Sequence, residues 1–339
     1  NKGKKVIFIS EIGLNHNGSI DLAKKLIQES KNSGADYVKF QLYKPEKRSS
    51  VNIRDAFYSE TADGEGENLN ELFSNCHFSI NDLLTLKRYS EGVGIELFLS
   101  AFDSQSVIEA SKINSSLIKI SSMDLTNIEV WEKATKFFKK IIASTGMSSI
   151  NEVKRSYKYA SKRMKSPDIS LLHCVSSYPM PISEAKLGRM DILKTISKKV
   201  GYSDHSMGIE IPYTAALMGA EIIEKHFTLD KGLKGPDHIH SSTPDEMKRL
   251  IDLVNAIPEI TSTSSYDISR IQKTEMMKQK KGYYYSSSLK RDHILKRKDI
   301  KLGTPCLGSD TFECYDLIGK KLKNNVESSM PVKILDFII

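Results

Sequence analysis

The stretch Glu224–His238, EKHFTLDKGLKGPDH, sets a glutamate, two histidines and a Pro-Asp-His within fifteen residues, directly after the apolar run LMGAEII. A second segment, GYSDHS, places His205 21 positions ahead of His226. Two imidazoles supplemented by carboxylates or waters suit a divalent cation such as Mn, Fe, Co or Zn. Lys39 and Gln41 alternate in YVKFQL, and Lys119 in LIKIS precedes Ser122 and Asp124. Two lysines accompanied by Ser and Thr hydroxyls suit a phosphate or a carboxylate. No HExxH or cysteine-based zinc pattern and no GxSxG elbow occurs, so the familiar zinc and serine hydrolases are unsupported. Taken singly, each residue also has a plain structural reading, because a strand-end histidine is usually hydrogen-bonded into the fold. Taken together they ask for a scaffold that gathers them.

The elements that must do this are eight apolar runs: VIFIS (6–10), YVKFQL (37–42), IELFLS (95–100), LIKIS (117–121), IIAST (141–145), ISLLHCV (169–175), KVGYS (199–203) and EIIEKHF (221–227). Amphipathic segments lie between them, several opened by an N-cap at Ser19, Ser79, Asn127 or Ser149. Eight strand–helix pairs in about 250 residues match a (β/α)8 barrel. EIGLNHNGS lacks the GxGxxG spacing, which disfavours a doubly wound dinucleotide fold. The polar residues then fall at the C-terminal strand ends, where barrel active sites lie. Alternation puts Lys39 with Gln41 and Glu224 with His226 on one face, and turns Lys225 outward as a structural residue. Charges aimed into a barrel need each other, a metal or a ligand.

The barrel pattern ends near LIDLVNAIPEI. The expected organisation is a catalytic barrel over 1–262, a Ser/Thr-rich and basic linker over 263–283, and a small β-rich domain over 284–339. The chain has 339 residues, 39% hydrophobic and 27% charged, which fits a globular protein. No run approaches the roughly 20 apolar residues of a membrane helix, and NKGKKVIFIS is too short for a signal peptide. Four cysteines without a CxxC pair read as a reduced, cytoplasmic protein. The net charge of +8 lies on lysine-rich helix faces such as KATKFFKK and accompanies no nucleic-acid motif. Neither nucleic acid nor a membrane is expected as a partner.

The segments SEIGLNHNGSIDLAKKLI, DYVKFQ, IKISSMDLTN, ASTGM, LLHCVSSYP, GYSDHS and IIEKHFTLDKGLKGPDH resemble the sialic acid synthase (N-acetylneuraminate synthase) family. Its relatives make legionaminic and pseudaminic acids and a spore-coat polysaccharide sugar. SLKRDHILKRKDIKLG and DLIGKKLKNNVESSMPV resemble that family's antifreeze-like (SAF) domain. The resemblance implies a transferase that condenses phosphoenolpyruvate with the open-chain aldehyde of an N-acylated mannosamine-type hexose. The products are a nine-carbon 2-keto acid and phosphate, with C–O cleavage. It implies a divalent metal, Mn2+ or Mg2+, on His205 and His226. It places phosphoenolpyruvate on Lys39, Lys119, Ser122, Ser176, Tyr178 and Ser203, with Ser176 where relatives often carry Asn. It turns Gln41, Glu224 and Asp237 toward the sugar and implies Glu11, Asp124 and His226 as the catalytic groups. The family's partner subunit offers Arg-Arg-Ser to the N-acyl group in a domain-swapped homodimer; this chain reads KKGYYYS there, with Lys281 nearest that arginine. The loop SAFD is one residue shorter than the family's STPFD. Two other readings stand: a Schiff-base aldolase on Lys119 or Lys39, and a catalytically lapsed carbohydrate-binding relative. His238 and His240 have no assigned role.

Overall fold

Strands buried on both faces read as nearly unbroken apolar runs, and the eight runs form a closed parallel barrel. The structure, a computed structural model, describes residues 5–48, 58–60, 66–262 and 266–338. Residues 1–4 of the basic N-terminal stretch and 263–265 of the Ser/Thr-rich linker lie outside the described residues. The strands are β1 (Ile7–Gly13), β2 (Tyr37–Leu42), β3 (Glu96–Ala101), β4 (Leu117–Ile120), β5 (Lys140–Ser144), β6 (Asp168–Cys174), β7 (Lys199–Asp204) and β8 (Ile222–His226). Each pairs in parallel with its sequence neighbour, and β1 closes the ring on β8 with Glu11 opposite His226.

Helices cover the outside: α1 (Ile20–Asn32), α2 (Ile80–Val93), α3 (Ser104–Ala110), α4 (Ile128–Phe137), α5 (Ile150–Ser161), α6 (Arg189–Lys194), α7 (Glu210–Leu217) and α8 (Pro244–Ile260). The expected caps are in place, with Ser19, Ser79, Asn127 and Ser149 each accepting a backbone N–H of the first turn. α3 and α6 have only seven and six residues, too few for a helical period to stand out in sequence. A short antiparallel pair, Tyr58–Glu60 with Gly66–Asn68, and the helix Leu69–Asn75 are inserted between β2 and α2.

Inside the barrel, Ile9, Phe98, Leu117, Ile142, Leu172 and Ile222 form a closed apolar plug. Each stands two residues before a polar group on the same strand: Glu11, Ser100, Lys119, Ser144, Cys174 and Glu224. Side chains two apart share a face, so the alternation that builds the plug also builds a polar layer above it. β1 continues three residues beyond the expected VIFIS, and this extension carries Glu11 into that layer.

The chain divides into Asn1–Thr261 and Ser262–Ile339. The stretch read as a linker carries helix α9 (Arg270–Gln279), and strand β9 (Gly282–Tyr285) begins inside it. In the second unit β9 pairs with β10 (Ile300–Gly303), and β11 (Lys321–Leu322) pairs with β12 (Phe337–Ile338). Tyr285, Leu295, Ile300, Leu322, Val332 and Phe337 belong to a core of its own. Among the described residues no helix is long and apolar enough to cross a membrane.

Candidate active site

At the C-terminal ends of the strands the barrel opens into a cavity of about 540 Å³, a volume suited to small-molecule ligands. Twelve of the sequence-predicted residues line it: Glu11, Lys39, Gln41, Lys119, Ser122, Ser176, Tyr178, Ser203, His205, Glu224, His226 and Asp237. Asp124 is not among the lining residues. Its carboxylate accepts hydrogen bonds from Ser121 and Asn127, so it shapes the β4–α4 turn instead of facing the cavity floor. Lys281 is an exposed residue of the second unit, just before β9.

The floor is a buried charge network. Lys39 Nζ lies 2.8 Å from Glu224 and 3.3 Å from Glu11. Lys119 Nζ donates to Ser144 at 2.6 Å and lies 3.5 Å from Glu224. Ser203 donates to Glu224, and Gln41 donates to Glu11. Burial pushes the Glu224 carboxyl up, but Lys119 and Lys39 outweigh it and hold the group at about 2. Burial raises Glu11, and the Glu224 charge adds to that rise against the pull of Lys39. Lys39 is raised, because Glu11 and Glu224 outweigh its burial. Burial lowers Lys119 in spite of Glu224. Where Glu11 is protonated, two ammonium groups face one carboxylate, and the surplus positive charge suits an anion.

A second feature lies on the wall between β4, β5 and β6. The Gly146 N–H donates to Ser122 Oγ at 3.1 Å. A Cβ at position 146 would come 2.5 Å from Ser176 Oγ and 2.8 Å from Ser122 Oγ. Ser176 Oγ is buried without a hydrogen-bond partner. Glycine thus keeps a space open between two hydroxyls, one of which lacks an acceptor.

Across the cavity stand the imidazoles. His205 Nδ1 lies 2.8 Å from the Val175 carbonyl, to which it donates as the Nδ1–H tautomer, leaving Nε2 free. Cys174 Sγ is 3.9 Å from the same nitrogen. Burial raises the Cys174 thiol, but His205 and the Ser122 hydroxyl outweigh it and bring the group down to about 7. His226 Nδ1 lies 3.6 Å from Asp237. Burial and the neighbouring His240 and His205 hold His226 well below the usual imidazole range. Burial pushes Asp237 up to about 6 against the pull of His205. The ring nitrogens His226 Nδ1, His240 Nδ1 and His240 Nε2 are buried and make no hydrogen bond. Neutral imidazoles with free lone pairs beside a carboxylate are a donor set that fits a divalent cation.

Three neighbours of this site carry no role in the sequence reading: Cys174, Arg48 and His240. Cys174 was within reach, since it shares strand parity with Leu172. Arg48 and His240 lie in loops, where no period marks the inward side. Lys225, turned outward as expected, pairs with Asp204 and donates to the Ser206 carbonyl behind the strand.

Comparison with known proteins matches residues 26–266 to the NeuB family. An N,N'-diacetyllegionaminic acid synthase of Campylobacter jejuni is 33% identical over 324 residues, covering 95% of this chain and 97% of the relative. An uncharacterized protein of Methanocaldococcus jannaschii is 34% identical, covering 96% of this chain and 93% of its own length. The crystal structure of an N-acetylneuraminic acid synthetase from Leptospira borgpetersenii, in complex with citrate, superposes with a TM-score of 0.70 at 34% identity. That likeness covers 80% of this chain and 90% of the other. A family match over most of the barrel, and relatives that run the length of the chain, give one assignment: the chain belongs to the NeuB family.

Proposed function

We propose that this cavity condenses phosphoenolpyruvate with the open-chain aldehyde of an N-acylated mannosamine-type hexose, releasing phosphate and a nine-carbon 2-keto acid. The chain is an enzyme, a phosphoenolpyruvate-dependent transferase that forms a carbon–carbon bond, and its class is nonulosonic acid synthase. What is proposed is the pair of substrates, the course of the reaction and the role of each residue.

The observation that carries the reading is one cavity with an anion-seeking floor and an imidazole–carboxylate wall. Lys39, Lys119 and Ser203, with Ser122, Ser176 and Tyr178 beside them, are assigned to the phosphate and carboxylate of phosphoenolpyruvate. Gln41, Glu224 and Asp237 are assigned to the sugar side. C3 of the enol forms a bond to the aldehyde carbon, and the aldehyde oxygen takes a proton. Water adds at C2, and the C2–O bond of the resulting tetrahedral hemiketal phosphate breaks to expel phosphate. Lys39 and Lys119 stabilise the negative charge that develops there. Glu11, with Lys39 and Gln41 fixing its oxygens, is the titratable group placed to move a proton to or from that water. A divalent cation, Mn2+ or Mg2+, held by His205 and His226 with Asp237 beside them, would supply Lewis-acid polarisation of the aldehyde.

The test is release of inorganic phosphate from phosphoenolpyruvate with a panel of N-acylated hexosamines. Release is expected only with both substrates present, and EDTA should abolish it. Release without a sugar, or none with any member of the panel, rejects the assignment. The lowered Lys119 amine favours a second reading, a Schiff-base aldolase. Borohydride trapping of a carbonyl substrate on Lys119 would establish it, and EDTA sensitivity without trapping would exclude it.

The second unit is proposed to act as an SAF domain that closes a neighbour's cavity in a domain-swapped homodimer in the cytoplasm. Family membership and the position of Lys281 support this. Full-length Lys119→Ala and Lys281→Glu chains, each inactive alone, should regain activity when refolded together. No recovery in the mixture would end this part of the proposal.

A further inference from the structure

A second cavity, of about 390 Å³, lies between α5 and α6, behind the wall of the first. The two share Met147 and Cys174 among their lining residues, so these side chains form a common partition. The condensation proposed above uses none of the second cavity's other residues.

Its lining is apolar with a polar end. Ile150 and Val153 come from α5, and Ile192 and Leu193 from α6. Met147, Ile150 and Ile192 are 70%, 37% and 50% exposed, three large apolar side chains from separate segments gathered around one cavity. Such a gathering gains free energy when something covers it. The polar groups are Arg189, Ser148 and His173. His173 Nε2 donates to the Ala185 carbonyl at 2.7 Å. Burial lowers the His173 imidazole, and the Arg189 charge adds to that fall against the Ala185 carbonyl. No carboxylate is among the described residues that line the cavity, so Arg189 gives it a net positive charge that selects an anion. Mostly apolar walls with a few polar groups are the composition of a small-molecule site.

The shared partition belongs to the turn that shapes the anion space of the first cavity. Thr145 anchors that turn, its N–H and Oγ1 both donating to the Leu172 carbonyl at 3.0 Å. Gly146 then donates to Ser122 and keeps the gap between Ser122 and Ser176 open. Met147 follows at φ 57°, a left-handed conformation that a non-glycine residue holds under strain. The Ser148 hydroxyl closes the turn with a long bond, 3.4 Å to the Gly146 carbonyl.

We propose that the second cavity is a regulatory site for a small carboxylic acid with an apolar body, and that its occupancy weakens anion binding at Ser122 and Ser176. The carboxylate lies on Arg189 and Ser148, and the body fills the space between α5 and α6. It presses Met147 and Cys174 toward the first cavity and narrows the gap that Gly146 leaves. The site stands on the second cavity's own residues, and its effect on turnover rests on the function proposed above. Coupling between two sites is reciprocal, so an anion in the first cavity weakens binding in the second by the same factor.

The experiment titrates the full-length protein by calorimetry with octanoate, and with octanol as its uncharged counterpart. Wild type should bind one octanoate, about tenfold or more tighter than octanol, the scale of one charge-assisted hydrogen bond. Arg189→Gln should erase that preference, and Ile192→Trp, which fills the cleft, should weaken both ligands. Phosphoenolpyruvate should weaken octanoate binding about fivefold or more. In steady-state assays octanoate should raise KM for phosphoenolpyruvate to a plateau, which competition at a single site does not give. Octanoate bound equally by wild type, Arg189→Gln and Ile192→Trp, or not bound by wild type at millimolar concentration, would overturn the site. Binding that phosphoenolpyruvate leaves unchanged would overturn the coupling. Octanoate binding without any phosphate release would reject the condensation and leave the site standing. Circular dichroism confirms that both variants are folded.

Discussion

Lys39 and Glu224 meet at 2.8 Å at the bottom of the cavity, on strands separated in the ring only by β1. Both side chains are almost wholly buried, at 5% and 6% exposure. Two charges so placed are costly to desolvate, and their attraction recovers the cost only while both are present. Lys39→Met would leave Glu224 with Lys119 as its one remaining cation. We expect this variant to lose about 3–5 kcal/mol of stability to urea. The double variant Lys39→Met/Glu224→Gln should recover most of that loss and remain inactive. Equal stabilities of the single variant and wild type would show that Lys119 alone compensates Glu224.

Gly146 sits between the hydroxyls of Ser122 and Ser176, and its missing Cβ is the space assigned to an anion. Gly146→Ala is expected to raise KM for phosphoenolpyruvate about tenfold or more, in line with the loss of a charge-assisted hydrogen bond. KM for the sugar should hardly change, and the thermal midpoint should move by a few degrees at most. Steady-state kinetics with each substrate varied in turn decides it. Equal rises in both constants would point to a general distortion of the β5–α5 turn.

The barrel was legible because its two patterns reinforce each other. Runs such as IELFLS and ISLLHCV are apolar on both faces, and the same parity that puts Phe98 and Leu172 in the plug puts Ser100 and Cys174 in the cavity. Lys39, Lys119 and Glu224 could be read by that rule, since strands give each residue a side. The rule stops where the strands stop. Asp124 carries the right chemistry one turn past β4, but Ser121 and Asn127 claim its oxygens. His240 and Arg48 lie in loops whose direction is set by tertiary hydrogen bonds. The pair Tyr58–Glu60 with Gly66–Asn68 has three-residue strands, too short for alternation to register.

Arg48 offers the sugar side of the cavity a cation that sequence reasoning missed. Its guanidinium carbon lies 3.9 Å from the Phe102 ring centroid and 4.5 Å from that of Phe73. Its Nε is buried without a partner, and a terminal nitrogen makes one weak hydrogen bond, to Met123 Sδ at 3.5 Å. A planar guanidinium stacked on rings and short of acceptors suits a carbonyl or oxyanion substituent of the substrate. Arg48→Lys keeps the charge but loses the stacked fork. KM for the sugar should rise about tenfold or more, the scale of one charged hydrogen bond, while KM for phosphoenolpyruvate stays put. Unchanged sugar kinetics in Arg48→Lys would leave the residue a packing role only.

His16 makes the barrel sensitive to acid for a reason separate from catalysis. Its ring stacks on Phe78 with centroids 4.0 Å apart, and its Nδ1 accepts the Gly18 N–H. Burial holds the imidazole at about 3, against 6.5 when unfolded. Between these values the unfolded chain binds a proton that the folded chain does not, so stability falls as pH drops through that window. Above 6.5 the contribution is fully present. His16 alone should account for about 1.4 kcal/mol lost per pH unit. His16→Gln keeps an acceptor for Gly18 and removes the titration. It should be less stable than wild type at neutral pH through loss of the stack, but its stability should fall less steeply by one proton between pH 6 and 4. Denaturant unfolding of both proteins across that range measures the difference in slope, and parallel slopes would mean that His16 takes up its proton without unfolding the barrel.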